Sequence, residues 1–275
     1  MKKEKKLHIG YAVPNIILLL FSITCIFPAI WLIYSSLKEK AEFYHSPIAL
    51  PENPSIDHYI SILSKSDFLK WLFNSFRTSA LSLFFILLLG FTIGYILSRY
   101  RFRGRNLLYA YFLIGMLIPV HALMVPMYVM FTRTGLNDQW FTLILPYTAL
   151  SLPIAVESYV KSIPTEIEEA AAIDGCSRLR TIYTIVMPMC RPILITIGII
   201  QFFYIWNEFT FSLILIDSQE LMTIPVGLTL FKGQFSTDYP RMMTAMVLAI
   251  LPTMVIYFIF SKRIIKGMVA GAVKG

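Results

Sequence analysis

The chain has 275 residues, of which 57% are hydrophobic and 15% are charged, and its formal net charge is +8. Soluble domains contain about 45–50% apolar and about 25% charged residues, so this composition excludes an ordinary soluble protein. It also excludes a disordered chain, which combines low hydrophobicity with high net charge. The basic residues stand beside apolar runs, which favours a membrane protein over one that binds nucleic acid.

Six stretches of the sequence are nearly free of charge and long enough to cross a bilayer, which takes about 20 helical residues. They are Leu7–Leu37, Thr78–Ser98, Asn106–Thr132, Gln139–Val156, Pro192–Ile216 and Met242–Ser261. The first is too long for the core of a signal peptide and is interpreted as a membrane anchor. Barrel strands would be about ten residues long with alternating polarity. The sequence therefore predicts an all-α polytopic membrane protein with six transmembrane helices.

Lysine and arginine are distributed unequally between alternate connecting segments. Sixteen of the 24 basic residues fall on the side that holds both termini, and eight fall on the other side. Cytoplasmic segments carry the excess of basic residues. This distribution predicts cytoplasmic tails at 1–10 and 262–275, on either side of a transmembrane region over 11–261.

The segment 157–191 lies on the predicted cytoplasmic side and has the pattern of two short helices joined by a turn. Thr165 followed by Glu168 predicts a capping box at the start of the first helix, and Gly175 stands where a left-handed residue ends helices. The second helix is predicted to begin after Ser177 and to end before Pro188. Periodicity alone leaves open whether their apolar faces cover the membrane surface, the protein's own core or a partner's groove.

Three motifs are similar to those of known transporters. Glu169-Ala170-Ala171, three residues, Gly175, nine residues and Ile185-Val186-Met187-Pro188 resemble the EAA loop of ABC importer permeases, whose pattern ends in I-x-L-P. Met187 replaces the Leu of that pattern. Trp206-Asn207-Glu208-Phe209 and the tail from Lys266 to Gly275 resemble the carbohydrate-uptake branch, and the tail resembles the smaller permease subunit of maltose-type importers.

The resemblance implies a permease in the bacterial cytoplasmic membrane whose loop docks on the ATPase dimer that binds ATP and Mg. The implied docking residues are Glu169, Ala170, Ala171, Asp174 and Gly175, and for Asp174 a helix-end cap is an equal alternative. The tail residues Gly271 and Lys274 would reach the same ATPase. The resemblance also implies a second permease subunit forming a heterodimer, an extracellular solute-binding protein and a sugar-like substrate. The chain has no P-loop or catalytic constellation, so we expect no enzyme activity, cofactor or metal of its own.

Polar residues within a span are costly and are therefore candidates for the translocation pathway. Gln201, Tyr204 and Glu208 follow one another at i, i+3 and i+7, which predicts a polar stripe on a helix. Trp206 and Asn207 stand beside it, and aromatic faces with hydrogen-bonding groups suit a sugar. The alternative is an interhelical hydrogen-bond cluster that fastens the subunit to its partner. His121, next to Pro119, is a further pathway candidate, with a packed histidine as its alternative.

Two rival functions use different features of the sequence. An ion-coupled secondary transporter would depend on intramembrane ionisable residues, of which Glu208 is the single acid in the six stretches. An intramembrane enzyme acting on lipid would need a cluster of acids, histidines or arginines near one membrane face, and the sequence lacks one. An ion-coupled transporter also leaves the helical segment 157–191 unexplained.

Overall fold

A computed structural model describes residues 12–151, 155–231 and 237–272. Throughout these ranges the regular secondary structure is helical, which confirms the predicted helical class. The chain divides into two compact units, one formed by residues 1–66 and 230–250 and the other by residues 67–229 and 251–275.

The first unit contains α1 (Ala12–Ser35), α2 (Lys40–His45), α3 (Asp57–Lys65) and the first part of α15 (Tyr239–Ala272). Phe43 is buried, with its ring 5.6 Å from that of Tyr239. The Thr244 hydroxyl donates to the Ser36 carbonyl at 3.0 Å. In contrast, the most apolar window of Pro14–Ser35 has no buried residue. An apolar helix without cover in its own chain suits a lipid environment.

The second unit is built around one long helix, α4 (Phe68–Arg99). The other helices are α5 (Arg105–Leu117), α6 (Met124–Thr134), α7 (Ile144–Leu150), α8 (Ala155–Lys161), α9 (Glu166–Ile173), α10 (Arg178–Arg180), α11 (Met187–Met189), α12 (Arg191–Trp206), α13 (Thr210–Leu215), α14 (Ile224–Gly227) and the second part of α15. One apolar core includes Phe91, Val156, Val160, Val186 and Leu194, and therefore joins α4 to α8 and to the segment after α9.

Helices α4 and α8 approach each other closely at Gly94. A Cβ atom added to Gly94 would lie 2.9 Å from the Val156 Cβ and 3.0 Å from the Glu157 nitrogen. Real Cβ atoms do not approach that closely, so only glycine fits there. The sequence Gly90-Phe-Thr-Ile-Gly94 has the small-residue spacing that lets helices approach closely, and at Gly94 this close approach is made within the chain.

Three helices are long and apolar enough to span a membrane, namely Pro14–Ser35, Phe68–Arg99 and Tyr239–Lys262. In two further pairs, the two helices are long and apolar enough to span a membrane only when they are counted as one bent segment. The pairs are Arg105–Leu117 with Val120–Thr134 and Arg178–Met189 with Arg191–Trp206. The described residues therefore contain three to five spans of this kind, and the predicted count of six is not confirmed.

Three of the six predicted stretches are not continuous helices. Asn106–Thr132 is bent by 97° between Leu117 and Val120, where Pro119 cannot donate a helical hydrogen bond. Pro192–Ile216 is interrupted after Trp206, and Gln139–Val156 contains only α7 and the start of α8 as described helices. Hydrophobicity marks the apolar residues but does not distinguish a straight span from a broken one.

Candidate functional site

The segment 157–191 forms the predicted pair of helices, and Gly175 makes the turn between them. Gly175 has a φ of +76°, a left-handed conformation that favours glycine. The Cys176 amide donates to the Ala171 carbonyl at 2.9 Å, and the Ser177 hydroxyl accepts a hydrogen bond from the Arg180 amide at 3.4 Å as the predicted N-cap. The turn and the second N-cap are therefore confirmed.

Two details of this segment were predicted wrongly. Thr165 makes no side-chain cap hydrogen bond, so the capping box does not form, because Glu168 is held by another helix. The second helix does not end before Pro188. It continues through a wider π-helical turn over Thr181–Val186 and ends at Met189. Such turns are rare and are often found at functional sites.

A carboxylate of α9 is fixed to the last turns of α4. Glu168 accepts hydrogen bonds from the Arg99 Nε and from the Tyr95 hydroxyl, both at 2.6 Å. Arg99 also donates to the Ile163 carbonyl at 2.7 Å. The side chains of Arg99 and Glu168 are only 11% and 16% exposed. Charges buried to this degree are stable when paired and hydrogen-bonded, as here.

A second ion-pair group lies at α8. The Glu157 side chain is 2% exposed and pairs with Lys161 and, at 3.4 Å, with Arg105. The Arg105 Nε donates to the Leu97 carbonyl at 2.7 Å. Arg99 at the end of α4 and Arg105 at the start of α5 therefore hold the helical segment 157–191 in place. From the sequence, these arginines are expected only to set the orientation of the chain in the membrane.

The outer face of α9 has no cover among the described residues. Glu169, Ala170, Asp174 and Gly175 are exposed, whereas Ala171 packs against its own chain. Ile173 is 86% exposed and Leu179 is 69% exposed. Ile173 was not singled out from the sequence, although it lies three residues after Ala170 and therefore on the same helical face. Acids and a large apolar side chain thus share one exposed helical face, here called the α9 outer face (Glu169, Ala170, Ile173 and Asp174).

Glu208 caps a helix at the break in the fifth stretch. It accepts hydrogen bonds from the Tyr147 hydroxyl at 2.5 Å, the Phe211 amide at 2.9 Å and the Ser212 amide at 3.3 Å. The residue is 8% exposed. A carboxylate just before the start of a helix satisfies free N–H groups of the first turn and lies at the positive end of the helix dipole. Glu208 therefore holds α13 to α7 within this chain.

The other predicted pathway residues are not arranged as one stripe. Helix α12 ends at Trp206, so Glu208 does not continue the helical face that carries Gln201 and Tyr204. Trp206 is buried and stacks on Phe202 with ring centroids 5.4 Å apart.

The other polar residues near the break after Trp206 differ in their exposure to solvent. Tyr204 and Asn207 are exposed. Gln201 is half-buried, and its Oε1 has no hydrogen-bond partner among the described residues. The Asn207 Nδ2 donates to the Phe203 carbonyl at 2.8 Å.

The remaining predicted residues lie at or beyond the ends of helices. His121 is exposed in a short 3-10 turn (Val120–Leu123) after Pro119, at the bend between α5 and α6. Gly271 is in α15, which ends at Ala272, and Lys274 lies outside the described residues. Among the residues that the structure describes, no group of three or more His, Cys, Asp or Glu side chains is arranged to hold a metal ion.

Asp138 joins two loops of the second unit. It has a φ of +51°, and its carboxylate accepts hydrogen bonds from the Ser218 hydroxyl and from the backbone amides of Asp217 and Ser218. Burial raises the pKa of this carboxyl, but the three hydrogen bonds outweigh burial and hold the pKa below its ordinary value. The charged form of Asp138 therefore fastens the two loops.

Comparisons with known proteins agree in placing this chain among membrane transport subunits. A family model described as "Binding-protein-dependent transport system inner membrane component" matches residues 86–269. The chain is 35% identical over 254 residues to the sulfoquinovosyl glycerol transport system permease protein of Agrobacterium fabrum, covering 91% of this chain and 89% of that protein. It is 31% identical over 264 residues to the trehalose/maltose transport system permease protein of Thermococcus litoralis, covering 94% of each.

A solved structure shares the fold. A chain of a bacterial ABC transporter involved in the import of the acidic polysaccharide alginate matches with a TM-score of 0.84 and 20% sequence identity. The match covers 95% of this chain and 99% of that chain. The helical arrangement described above is thus the fold of a chain of that transporter.

Proposed function

The chain belongs to the family of binding-protein-dependent transport system inner membrane components, and we propose that it translocates a sugar in an ATP-driven importer. It is a permease subunit of the cytoplasmic membrane, and ATP hydrolysis belongs to a separate subunit. The observation that carries the proposal is the α9 outer face. The helix α9 is fixed to α4 through Glu168, whereas its outer face is exposed to solvent.

The α9 outer face is suited to a groove with an apolar floor and basic or amide donors at its edge. Ile173 would fill the floor, because a large apolar side chain gains about 1.5–3 kcal/mol when fully buried. Glu169 would accept hydrogen bonds from the donors at the edge. The small side chain of Ala170 would let α9 approach the groove closely. The partner in this proposal is the ATPase dimer that binds ATP and Mg.

The proposed membrane orientation follows from charge. The stretch from the end of α4 to the start of α5 carries Arg99, Arg101, Arg103 and Arg105 without an acid, which supports a cytoplasmic position for this stretch, for α9 and for both termini. Six passages of the chain through the membrane fit this orientation if Gln139–Val156 crosses as a broken segment around α7. The tail residues Gly271 and Lys274 would then lie on the ATPase side.

The substrate proposal rests on the relatives. Their names include sulfoquinovosyl glycerol transport and trehalose/maltose transport. By analogy, we propose that this chain also transports a sugar-like solute. An extracellular binding protein would deliver it, and a second permease subunit would complete the pathway as a heterodimer. Gln201, Tyr204, Asn207 and His121 are the proposed lining of the pathway on this subunit, because their polar atoms are less occupied than those of Glu208.

The ion-coupled alternative is not favoured by the environment of its central residue. Glu208 already accepts three hydrogen bonds and is buried. An ion-binding carboxylate needs an accessible oxygen, which this arrangement does not offer.

Co-purification of the wild-type chain tests the proposed function. The tagged full-length chain is expressed in its native host, solubilised in mild detergent and isolated, and its partners are identified by mass spectrometry. We expect an ABC ATPase and a second permease in stoichiometric amounts, with a sugar-binding protein present after cross-linking. Recovery of the chain without any nucleotide-binding subunit would overturn the proposal.

A further inference from the structure

We infer that Glu168, Arg99 and Tyr95 form the rigid joint through which movement of α9 is passed to α4. This inference rests on the proposed function, because it assumes that an ATPase moves α9. The three side chains act as positioning residues. They touch neither the ATPase nor the sugar, and they fix the angle between the docking helix and the longest membrane helix of the second unit.

Glu168 and Glu169 are neighbours in sequence but face different environments. The Glu169 side chain is exposed on the α9 outer face. The Glu168 side chain is 16% exposed and uses both carboxylate oxygens, one for the Tyr95 hydroxyl and one for the Arg99 Nε. Glu169 is therefore available to a partner, whereas Glu168 is committed to α4.

The joint connects three parts of the chain at once. Arg99 donates to Glu168 in α9 and to the Ile163 carbonyl in the turn after α8, at 2.6 and 2.7 Å. Its planar guanidinium holds two acceptors in fixed directions, which a lysine could not do. A displacement of α9 is therefore passed through Glu168 and Arg99 to the last turn of α4.

Packing around the joint makes the connection stiff. Ile163 and Tyr95 belong to one buried cluster, with Ile167 of α9 packed against it. Further along α4, the Thr92 and Tyr183 hydroxyls are 2.9 Å apart and share a hydrogen bond. Close packing of this kind transmits a displacement because the core does not deform continuously. The helix α4 then carries the movement toward the middle of the membrane.

Glu166 offers a matched control within the same helix. It is exposed in the first turn of α9, and no described residue pairs with it. Glu166→Gln and Glu168→Gln therefore remove the same charge from the same helix, and only Glu168→Gln weakens the joint. Tyr95→Phe is a second, milder test, since it removes a single hydrogen bond to Glu168 while keeping the aromatic ring in the core.

The experiment measures the distance between α9 and α4 inside the assembled transporter. Nitroxide labels are attached at Thr165→Cys and Phe84→Cys, two exposed positions, in a chain whose native cysteines have been replaced. Phe84 lies about 22 Å along α4 from Arg99. The labelled chain, diluted with unlabelled chain, is purified with its ATPase into nanodiscs. Pulsed dipolar spectra are recorded without nucleotide and after trapping with ATP and vanadate.

We expect one narrow distance in the wild type and in Glu166→Gln, unchanged by nucleotide, because α9 and α4 move together. In Glu168→Gln and Arg99→Gln the distance should broaden, or shift between the two nucleotide states by about 2 Å or more. The effect of the Glu168→Gln/Arg99→Gln double variant should be smaller than the sum of the two single effects, since both single changes remove the Arg99–Glu168 interaction, while Arg99→Gln also loses the bond to the Ile163 carbonyl. Tyr95→Phe should show the same change to a smaller extent.

The amount of ATPase bound to each variant separates this inference from the proposed function. The ATPase should remain on Glu168→Gln in the wild-type amount, because Glu168 does not face it. Loss of the ATPase from Glu168→Gln but not from Glu166→Gln would overturn the joint, and so would a Glu168→Gln distance equal to that of the wild type in both states. A wild-type chain without an ATPase would instead refute the proposed function itself.

Discussion

Replacing Ile173 with aspartate is expected to remove the ATPase from the purified transporter. Ile173 is 86% exposed in this chain, so the change leaves the subunit's own core intact. Docking would bury the side chain, and losing that burial is worth about 1.5–3 kcal/mol, or roughly ten- to hundredfold in affinity. The new carboxylate would also stand near Glu169 and Asp174, and a charge buried without a partner adds a further penalty.

The measurement is the ratio of ATPase to permease after affinity purification in detergent. We expect at least a tenfold fall for Ile173→Asp, while Ile173→Leu, which keeps the apolar volume, should retain the ATPase. Thermal unfolding of the isolated subunit should be the same for all three forms. Equal ATPase content in wild type and Ile173→Asp would show that the α9 outer face is not the docking surface.

Replacing Glu208 with leucine is expected to destabilise the subunit by about 3 to 5 kcal/mol. The Tyr147 hydroxyl would lose its acceptor in a buried site, and the Phe211 and Ser212 amides at the start of α13 would lose theirs. Each unsatisfied buried group costs about 1–3 kcal/mol. Burying a larger apolar side chain offsets only part of this loss.

Two related variants distinguish the cap from a transport role for Glu208. Glu208→Gln keeps one acceptor oxygen and should be destabilised less than Glu208→Leu. Tyr147→Phe removes a single donor and should be destabilised least. The stabilities of the three variants are compared by thermal unfolding in detergent, with size-exclusion chromatography as the readout. Wild-type stability of Glu208→Leu combined with loss of uptake would return Glu208 to the pathway and contradict its assignment as a cap.

The helical segment 157–191 could be predicted from sequence because its signals are local. Gly175 takes the left-handed conformation that ends α9, and Ser177 caps the next helix, as the pattern indicates. Such signals depend on residues a few positions apart. They remain valid whatever the rest of the chain does.

The role of Glu168 could not be predicted because its partners are distant in sequence. The spacing of Thr165 and Glu168 is that of a capping box, which would be worth about 1 kcal/mol. In the structure Arg99, 69 residues away, takes the carboxylate instead. A charge-assisted hydrogen bond in a partly buried site is stronger than a local cap, so the long-range contact prevails.

The broken helices have a similar explanation. Pro119 and the sequence Trp206-Asn207-Glu208-Phe209 stand inside apolar stretches, and composition alone does not distinguish a kink from a complete break. The break after Trp206 is stable because Glu208 supplies the acceptors that the start of α13 needs. A carboxylate in an apolar stretch can therefore indicate a helix end as readily as a binding site.

Cross-linking at Ala170 tests the central claim most directly, because it asks what touches the α9 outer face in the membrane. Ala170→Cys in an otherwise cysteine-free chain is treated with a short thiol-reactive cross-linker in vesicles from the native host. We predict a product that contains the ATPase and changes in yield when ATP and vanadate are added. A cysteine at exposed Ser64, on the opposite side of the membrane in our proposal, should give no such product. Absence of the ATPase from the Ala170→Cys product, while the complex is otherwise intact, would contradict the assignment of segment 157–191 as the ATPase-docking loop.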